Sequence, residues 1–461
     1  MKRTASVLLL SLLAFSASCK DDGGGEDAAV DETSDPIVEE TADATDATEE
    51  DPGETEPTMD VNGRLETVDG IEVLSMWGTR EEMGYAEGAL LCGRIRDLFQ
   101  DYVLGYVVPD SGRDYATITA LVTIAYRLPE GDRRELEALL LGVQERCPAE
   151  DLIITSEHLE PAAGGSRAVT FDDLKVGHAI ADWACSSLTA WGEASATGGT
   201  IHARNLDFLQ DDAGVILDAH IVKAYQSSED GGATWASVSF PGLIGCISCF
   251  NEEGTGITMH NITGLGTSGN AVPRMLAARQ ALVDSTGAAD PVAAAEAALE
   301  ACPQQVGNNL HFSMHCATTG CAGGAVFEFD GYAAHADEFA TVRAPGDVTD
   351  GLSTTDAIVC TNHYMERDTP PTSGGSYDRY QTLVDGVNAG VTAGGLDVAG
   401  ALALMATTSE QNEGVPTVHT VIMDTEAMTL RVYVPDSTSV EAPSATPHVL
   451  DLSAIFTAFT D

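Results

Sequence analysis

The stretch ACSSLTAWGEASATGGTIHARNLDF, residues 184–208, decides the fold. Two strand-like runs flank the segment EASATGG, so the stretch predicts an antiparallel β-hairpin with its turn centred near residue 196. Residues paired across a hairpin have numbers with a constant sum, here about 391 to 393, which places Cys185 opposite residues 206–208. The hairpin therefore brings a thiol, the guanidinium of Arg204 and the carboxylate of Asp207 to one end of a sheet.

A thiol beside a guanidinium indicates nucleophilic chemistry. The thiolate is the nucleophile, and a neighbouring Arg favours it over the thiol, whose ordinary pKa is about 8.5. If the chain were cut before Cys185, this residue would carry its own α-amine. An α-amine has a pKa of about 7.7 to 8.0, so at neutral pH it serves as a general base beside the sulfur. Asp207 would then orient that amine.

Further motifs follow the hairpin in an order that points to a known family. They are MWGTREEMGYAEGALL, FPGLIGCISCFNEEGTGITMHNIT, CTNHY, GGSYDRYQTL and VHTVIMDTEAMTLRVYV. Together with the hairpin they resemble the cysteine N-terminal nucleophile hydrolases over about residues 66–435. The resemblance is greatest to the acyl-coenzyme A:isopenicillin N acyltransferase group. Bile salt hydrolases, penicillin V acylases and acid ceramidases are more distant relatives.

The resemblance implies a role for each member of the hairpin site. Cys185 matches the nucleophile, which is freed by self-cleavage after the small residue Ala184. Arg204 matches the residue that contacts the sulfur and the substrate, and Asp207 matches the carboxylate that holds the amine.

Three later residues complete the implied site. Asn261 matches a residue whose backbone or side chain lines the oxyanion site, although Asn251 lies in the same strand pair. Asn362 matches the second oxyanion donor, and Arg379 matches an Arg that supports the site. His363 follows Asn362 directly and, because adjacent strand residues point to opposite faces, we expect it to face away from the site.

The order of the elements predicts an α+β fold. Helical periodicity dominates residues 66–184, and groups of strands and helices then follow in blocks rather than in strict alternation. The resemblance implies a four-layer αββα sandwich preceded by a helical pro-segment. We expect four parts: a lipoprotein-type signal peptide 1–19, an acidic linker 20–65, a helical pro-segment or small subunit 66–184, and a catalytic chain 185–461.

The amino terminus predicts export and lipid anchoring. A basic start, the apolar run SVLLLSLLAF and small residues lead to Cys19, as in bacterial lipoprotein signals, although Ser16 stands where Leu is usual. Residues 21–60 contain 17 acidic and no basic residues, which is typical of an extended tether. We expect the protein in the bacterial cell envelope, anchored to a membrane through lipidated Cys19, with the outer membrane favoured.

Charge and cysteine content restrict the partners. The formal net charge of −50 excludes a nucleic-acid partner, because phosphate binding relies on Lys and Arg. Apart from Cys19 and Cys185, eight cysteines remain, an even number that predicts up to four disulfides in an oxidising compartment. No cofactor and no metal site is expected. The expected partners are a small amide or acyl substrate and, after self-cleavage, the protein's own second chain.

The predicted function is acyl transfer from a C–N amide or a thioester through an S-acyl intermediate on Cys185. Two alternatives stay open. A Cys-His hydrolase would depend on a particular histidine such as His363 and leave the chain uncut. A non-catalytic surface-binding lipoprotein of the same fold would show neither self-cleavage nor reaction with acyl probes.

Overall fold

The computed structural model describes residues 58–159, 165–180, 185–262, 264–266, 269–316, 322–331, 339–348, 350–410 and 415–460. The signal peptide with Cys19, most of the acidic linker and the expected cleavage residue Ala184 lie outside these ranges. Among the described residues, no helix is long and apolar enough to cross a membrane.

A nine-stranded sheet forms one half of the core, with the strand order β1-β2-β7-β8-β9-β10-β11-β12-β13. Its strands are β1 Gly63–Val68, β2 Ile71–Gly78, β7 Ile221–Ser227, β8 Thr234–Ser239, β9 Ser248–Asn251, β10 Gly256–Ile262, β11 Gly307–Ser313, β12 Gly324–Phe329 and β13 Ala340–Arg343. β2 runs parallel to β7 over six residue pairs, and the other neighbours are antiparallel.

A six-stranded sheet with the order β14-β5-β6-β15-β16-β17 forms the other half. Its strands are β5 Cys185–Ala190, β6 Ile201–Asp207, β14 Ala357–Cys360, β15 Thr417–Asp424, β16 Thr429–Tyr433 and β17 Pro447–Asp451. A separate small hairpin joins β3 Ile153–Thr155 to β4 Ser166–Ala168.

Helices cover the outer face of each sheet. The labelled helices are α1 Arg80–Asp97, α2 Tyr115–Ala125, α3 Glu130–Arg146, α4 Phe171–Ile180, α5 Arg274–Ser285, α6 Pro291–Glu300, α7 Gly375–Thr392, α8 Val398–Thr407 and α9 Leu452–Thr457. α1 continues into a π-helical segment, Leu98–Val107, and a short turn, Val108–Ser111. A four-residue helix, Val215–Asp218, precedes β7.

Alternating burial explains why these elements form layers. In β2, Leu74 packs into the core shared with α1 and α3, whereas its neighbour Val73 packs into the core between the two sheets. In β15, Val421 faces the same inter-sheet core and Ile422 faces the core under α7 and α8. Each sheet is therefore covered by helices on one face and by the other sheet on its second face. This confirms the α+β class and the four-layer αββα arrangement.

The segment 66–184 holds helices α1 to α4, but it begins with part of a strand hairpin. β1 starts at Gly63, inside the range assigned to the linker. Asp69 and Gly70 have φ values of 46° and 86°, the left-handed geometry of a two-residue hairpin turn. Because the Asp-Gly pair is flanked by strand-like residues, the signal for this hairpin was present in the sequence.

Candidate active site

Cys185 is the first residue of β5, which lies between β14 and β6. It pairs with Leu206 across the β5–β6 hairpin, so the residue numbers sum to 391, within the expected interval. Its side chain is only 1% exposed, and its sulfur accepts a hydrogen bond of 3.0 Å from Nη2 of Arg204. The hairpin thus brings thiol and guanidinium into direct contact.

Two effects oppose each other on the Cys185 thiol. Burial raises its pKa above the ordinary value, because a thiolate loses solvation in the protein interior. The Arg204 guanidinium and the backbone N–H of Asp207 lower it again by stabilising the charged form. The pKa of Cys185 stays raised overall, and Arg204 is the largest of the effects that favour the thiolate.

Arg204 is held on several sides. Its Nη2 also donates to the carbonyl oxygen of Met259 at 3.2 Å, and its Nη1 donates to Ser248 Oγ at 2.6 Å and to His419 Nε2 at 3.0 Å. Met259 and Ser248 belong to the nine-stranded sheet. The guanidinium consequently spans the space between the two sheets, and its orientation toward the sulfur is determined by both.

Asp207, at the end of β6, has a fully buried carboxylate with two donors. Nη1 of Arg379, from α7, lies 2.7 Å from Oδ2, and Thr417 Oγ1 lies 2.6 Å from Oδ1. Burial raises the pKa of Asp207 to about 7, and the guanidinium and the hydroxyl favour the charged form against it. Glu410 Oε1 also lies 3.1 Å from Arg379 Nη1, so this guanidinium joins two carboxylates.

Asn362 connects this acidic cluster to the nucleophile. Its Oδ1 accepts from the backbone N–H of Cys185 at 2.9 Å and from Arg379 Nη2 at 2.7 Å. Its Nδ2 donates to the carbonyl oxygen of Asn261 at 2.8 Å. An amide nitrogen carries two N–H groups, so Nδ2 has a second donor for a substrate oxygen. Asn362 therefore lies at the centre of the site.

Asn261 belongs to the site through its backbone. Its side-chain Oδ1 accepts from Arg274 Nη1 at 3.1 Å, while its carbonyl oxygen holds Asn362. The alternative Asn251 is the last residue of β9 and caps the following turn, where its Oδ1 accepts from the backbone N–H groups of Glu253 and Thr255. Of the two asparagines in this strand pair, Asn261 is the one that contacts the other site residues.

The loop that follows Asn362 is anchored by one buried carboxylate. Glu328, in β12, accepts backbone N–H bonds of 2.8 to 2.9 Å from Met365, Glu366 and Arg367. The guanidinium of Arg343 approaches the same carboxylate at 3.2 Å. Because four donors converge on Glu328, the chain beyond β14 is fixed, and the position of Asn362 with it.

His363 faces the start of α7, but strand alternation is not the reason, because β14 ends at Cys360 and both Asn362 and His363 lie beyond it. Its Nδ1 lies 2.8 Å from Ser376 Oγ at the start of α7, and its ring packs edge-on against Tyr380. Burial lowers the pKa of His363 to about 4, so the ring is neutral at pH 7. The structure does not bring His363 and Cys185 together, and nothing in its geometry favours a Cys-His pair.

The structure also shows contacts that the sequence reasoning missed. These are the Thr417 hydroxyl on Asp207, the Glu410 carboxylate on Arg379, and Ser248 and His419 on Arg204. Each partner comes from a segment far away in sequence. The one available signal was the match of VHTVIMDT to a closing strand, because β15 carries Thr417 and His419 beside β6.

Cysteines divide into bonded and free groups. Cys92 is bonded to Cys147, and Cys246 to Cys249, which places the CxxC pair in a disulfide. Cys316 is disulfide-bonded as well. Cys302 and Cys360 are free and buried, so the described cysteines do not reach the maximum of four bonds. Within the part of the chain that the structure describes, no cluster of three or more His, Cys, Asp or Glu side chains could hold a metal ion.

Comparison with models of protein families and with curated proteins finds no match for this chain. Several solved structures are similar to it. An N-acylethanolamine-hydrolyzing acid amidase ortholog of Caenorhabditis elegans has 14% identity and a TM-score of 0.36, covering 57% of this chain and 98% of its own. A variant of the conjugated bile acid hydrolase of Clostridium perfringens has 10% identity and a TM-score of 0.38, covering 59% and 93%. Penicillin V acylase from Agrobacterium tumefaciens has 13% identity and a TM-score of 0.35, covering 59% and 93%.

Proposed function

We propose that this protein is a self-cleaving N-terminal nucleophile enzyme that transfers acyl groups from amides through a thioester on Cys185. The observation that carries the proposal is the convergence on Cys185 of Arg204 at the sulfur and Asn362 at the backbone nitrogen. Arg379 then ties Asn362 to the buried Asp207. A lone buried cysteine needs none of these partners, whereas an acyl-transfer nucleophile uses them all.

In the proposed maturation, the Cys185 sulfur attacks the carbonyl carbon of Ala184. The C–N bond breaks as the C–S bond forms, and the nitrogen takes up a proton to become the α-amine of Cys185. Water then hydrolyses the resulting thioester, which frees the thiol and leaves a carboxylate on Ala184. The nitrogen that becomes this amine already lies 2.9 Å from Asn362 Oδ1, so an acceptor is in place for it.

In the proposed catalytic cycle, the freed amine first accepts the thiol proton, and the resulting thiolate then attacks the substrate carbonyl. The free N–H of Asn362 Nδ2 donates to the developing oxyanion, and Arg204 stabilises the thiolate before attack. The amine returns the proton to the leaving nitrogen, and a thioester on Cys185 remains. Transfer of this acyl group to water gives amidase activity, and transfer to an amine gives acyltransferase activity.

An apolar cavity supports the proposal that the substrate carries a hydrophobic acyl group. It lies between α1, its π-helical extension and α4 on one side and, on the other, the segments that follow β6 and β8 and the short helix Val215–Asp218. Its lining includes Ile95, Phe99, Tyr102, Phe208, Phe240 and Leu243. Phe208, which lines the cavity, directly follows Asp207 in the chain. We therefore propose that acyl amides with aliphatic chains are preferred over small polar amides.

The two chains produced by cleavage would stay associated. β2 lies in the same sheet as β7, and the buried ammonium of Lys223 donates to Glu87 Oε1 at 3.0 Å across the same interface. The two described disulfide pairs each lie on one side of residue 184, so they do not join the chains. We propose a heterodimer, anchored in the bacterial envelope through lipidated Cys19 and the acidic tether.

The test of the proposed chemistry is capture of the acyl intermediate. Purified protein is mixed with N-acyl anilides of increasing chain length, quenched in acid within seconds and analysed by peptide mass spectrometry. We expect an acyl mass increment on Cys185 and faster aniline release from longer acyl chains. Release of aniline without any adduct on Cys185, or adducts confined to Cys302 and Cys360, would contradict the proposal. The Cys185→Ala protein is the matched control.

A further inference from the structure

A β-bulge lies beside the site, in β15. Thr417 pairs with Asp207 and His419 pairs with Leu206, so the register shifts by one residue between them. Side chains alternate between the faces of a strand, and one extra residue reverses that alternation. Thr417 therefore lies on the face of Asp207 and Arg379, while His419 faces the inter-sheet space that contains Arg204.

His419 connects Arg204 to a second buried histidine. His419 Nε2 lies 3.0 Å from Arg204 Nη1, and His419 Nδ1 lies 3.0 Å from His220 Nε2. His220 Nδ1 lies 2.9 Å from the carbonyl oxygen of Leu217, at the end of the short helix Val215–Asp218. A continuous chain of hydrogen bonds thus runs from a backbone carbonyl to the guanidinium that contacts the Cys185 sulfur.

The chemistry of the end groups determines the direction of every bond in this chain. A guanidinium only donates, so His419 Nε2 accepts from Arg204 and the ring proton of His419 is on Nδ1. That proton is donated to His220 Nε2, which accepts, so the ring proton of His220 is on Nδ1. The carbonyl oxygen of Leu217 only accepts, so it receives the Nδ1 proton of His220 and ends the chain of hydrogen bonds. One tautomer of each ring satisfies all three bonds.

Both rings lie in surroundings that favour the neutral form. Burial lowers the pKa of His220 to about 4 and that of His419 well below its ordinary value. The guanidinium groups near them act in the same direction: that of Arg204 on His419 and that of Arg94 on His220. The chain is therefore intact at neutral pH.

We propose that His419 and His220 are positioning residues that keep Arg204 directed at the Cys185 sulfur. Without the acceptor at His419 Nε2, Arg204 retains Ser248 Oγ at Nη1 and the carbonyl oxygen of Met259 at Nη2, so the guanidinium is held less firmly against the sulfur. Only the effect of this positioning on amide turnover rests on the proposed function. Its direct effect is on the acidity of the thiol, which can be measured whether or not the protein proves to be an amidase.

Two isosteric substitutions separate this role from a packing role. The amide of Gln reaches the position of His Nε2, so His419→Gln keeps an acceptor for Arg204. The shorter amide of Asn reaches the position of Nδ1, so His419→Asn keeps the contact to His220 and loses the one to Arg204. The matched control is His202→Asn, because His202 is equally buried in the same sheet and bonds Thr189 and Thr258.

The experiment measures the rate of iodoacetamide alkylation of Cys185 in the purified full-length protein between pH 5 and 10. Peptide mass spectrometry distinguishes Cys185 from the other free thiols, Cys302 and Cys360. We expect the midpoint of the Cys185 curve to rise by about one pH unit in His419→Asn, a tenfold lower rate at a fixed pH below the midpoint. His419→Gln and His202→Asn should keep the wild-type midpoint.

Equal shifts in His419→Asn and His419→Gln, or no shift in a folded His419→Asn protein, would overturn the proposal. If His419→Asn does not fold, the pair His220→Leu and His220→Gln decides instead, because only Gln retains an acceptor for His419 Nδ1. We then expect a raised midpoint in the Leu variant alone, and identical midpoints would refute the positioning role. Amide turnover, followed in the same samples, should show a lower kcat with little change in KM. Absence of turnover in the wild type would instead count against the proposed function.

Discussion

Arg204 Nη2 lies 3.0 Å from Cys185 Sγ, and the two residues belong to adjacent strands of one hairpin. Arg204 is diagonal to Cys185, since its partner in the register is Ser187. The long Arg side chain closes this diagonal while its second nitrogen reaches the other sheet through Ser248. The contact that stabilises a thiolate is therefore also a contact that ties the two sheets together.

Replacing this guanidinium by an ammonium tests its fork geometry. Lys in Arg204→Lys retains the charge but has one nitrogen, which cannot reach Cys185, Met259, Ser248 and His419 together. We expect kcat/KM for an acyl anilide to fall by about 10²-fold or more, the range for loss of one preorganised donor. Arg133→Lys, at an exposed helix position, is the control and should retain full activity. Unchanged kinetics in Arg204→Lys would show that charge alone matters.

Asn362 is expected to contribute to the rate more than to stability. Asn362→Ala removes the donor for the oxyanion and the acceptor for the Cys185 nitrogen, so kcat should fall by about 10²- to 10³-fold. Asn251→Ala is the matched control, because this asparagine is buried in the neighbouring strand pair but serves a turn. We expect it to lower the melting temperature and to leave kcat unchanged. A lower kcat in Asn251→Ala together with an unchanged kcat in Asn362→Ala would show that Asn362 takes no part in the reaction.

The buried carboxyl of Asp207 predicts a pH dependence. Its pKa is raised to about 7 by burial, so it takes up a proton below that pH and no longer holds a charged amine. We expect kcat/KM of the wild type to fall as the pH is lowered through 7. Asp207→Asn should have low activity that does not fall further over this pH range. Asp378→Asn, an exposed position next to Arg379, should keep the wild-type profile.

The same raised pKa has a consequence for stability. The unfolded chain keeps the ordinary value of 3.8, so between about pH 4 and 7 the folded protein binds this proton more tightly. The contribution of Asp207 to the free energy of unfolding is therefore largest below about pH 4 and is lost as the pH rises to 7. Urea unfolding measures the free energy of unfolding of the wild type and of Asp207→Asn across this interval. The value for the wild type minus that for the variant should decrease as the pH rises from 4 to 7.

The association of the two proposed chains depends on a buried ion pair. Lys223→Met leaves the carboxylate of Glu87 buried without its ammonium partner, which costs about 3 to 5 kcal/mol in comparable cases. We expect the chains of this variant to separate at a lower urea concentration in size-exclusion chromatography. The double variant with Glu87→Leu should recover part of the loss. The exposed pair of Arg133 with Glu137 is the control, where Arg133→Met should change little.

The sequence allowed the hairpin and its consequences to be predicted because they are local. The constant sum across a turn placed Cys185 opposite Leu206. The orientation of His363 did not follow from strand alternation, because β14 ends at Cys360, before His363. That Arg379 supports the site followed only from the resemblance, and its contact with Asp207, 172 residues away in the chain, was not predicted.

Other features depend on long-range packing that no local pattern encodes. The bulge between Thr417 and His419 lies in a run that reads as a regular strand, and one inserted residue reverses which side chain meets the site. Glu87 and Lys223 are 136 residues apart, and nothing near either residue indicates its partner. The strand hairpin at Asp69 and Gly70 was missed for another reason, because the helical signal of the following segment dominated the interpretation.

The most direct test of the central claim is the intact mass and amino-terminal sequence of protein expressed from Lys20 onward, beside a Cys185→Ala control. We predict two chains in the wild type, the larger beginning at Cys185, and a single uncut chain in the control. Two chains that both persist in the Cys185→Ala protein would show that another protease cuts the chain. A single uncut chain in both samples would contradict the N-terminal amine mechanism.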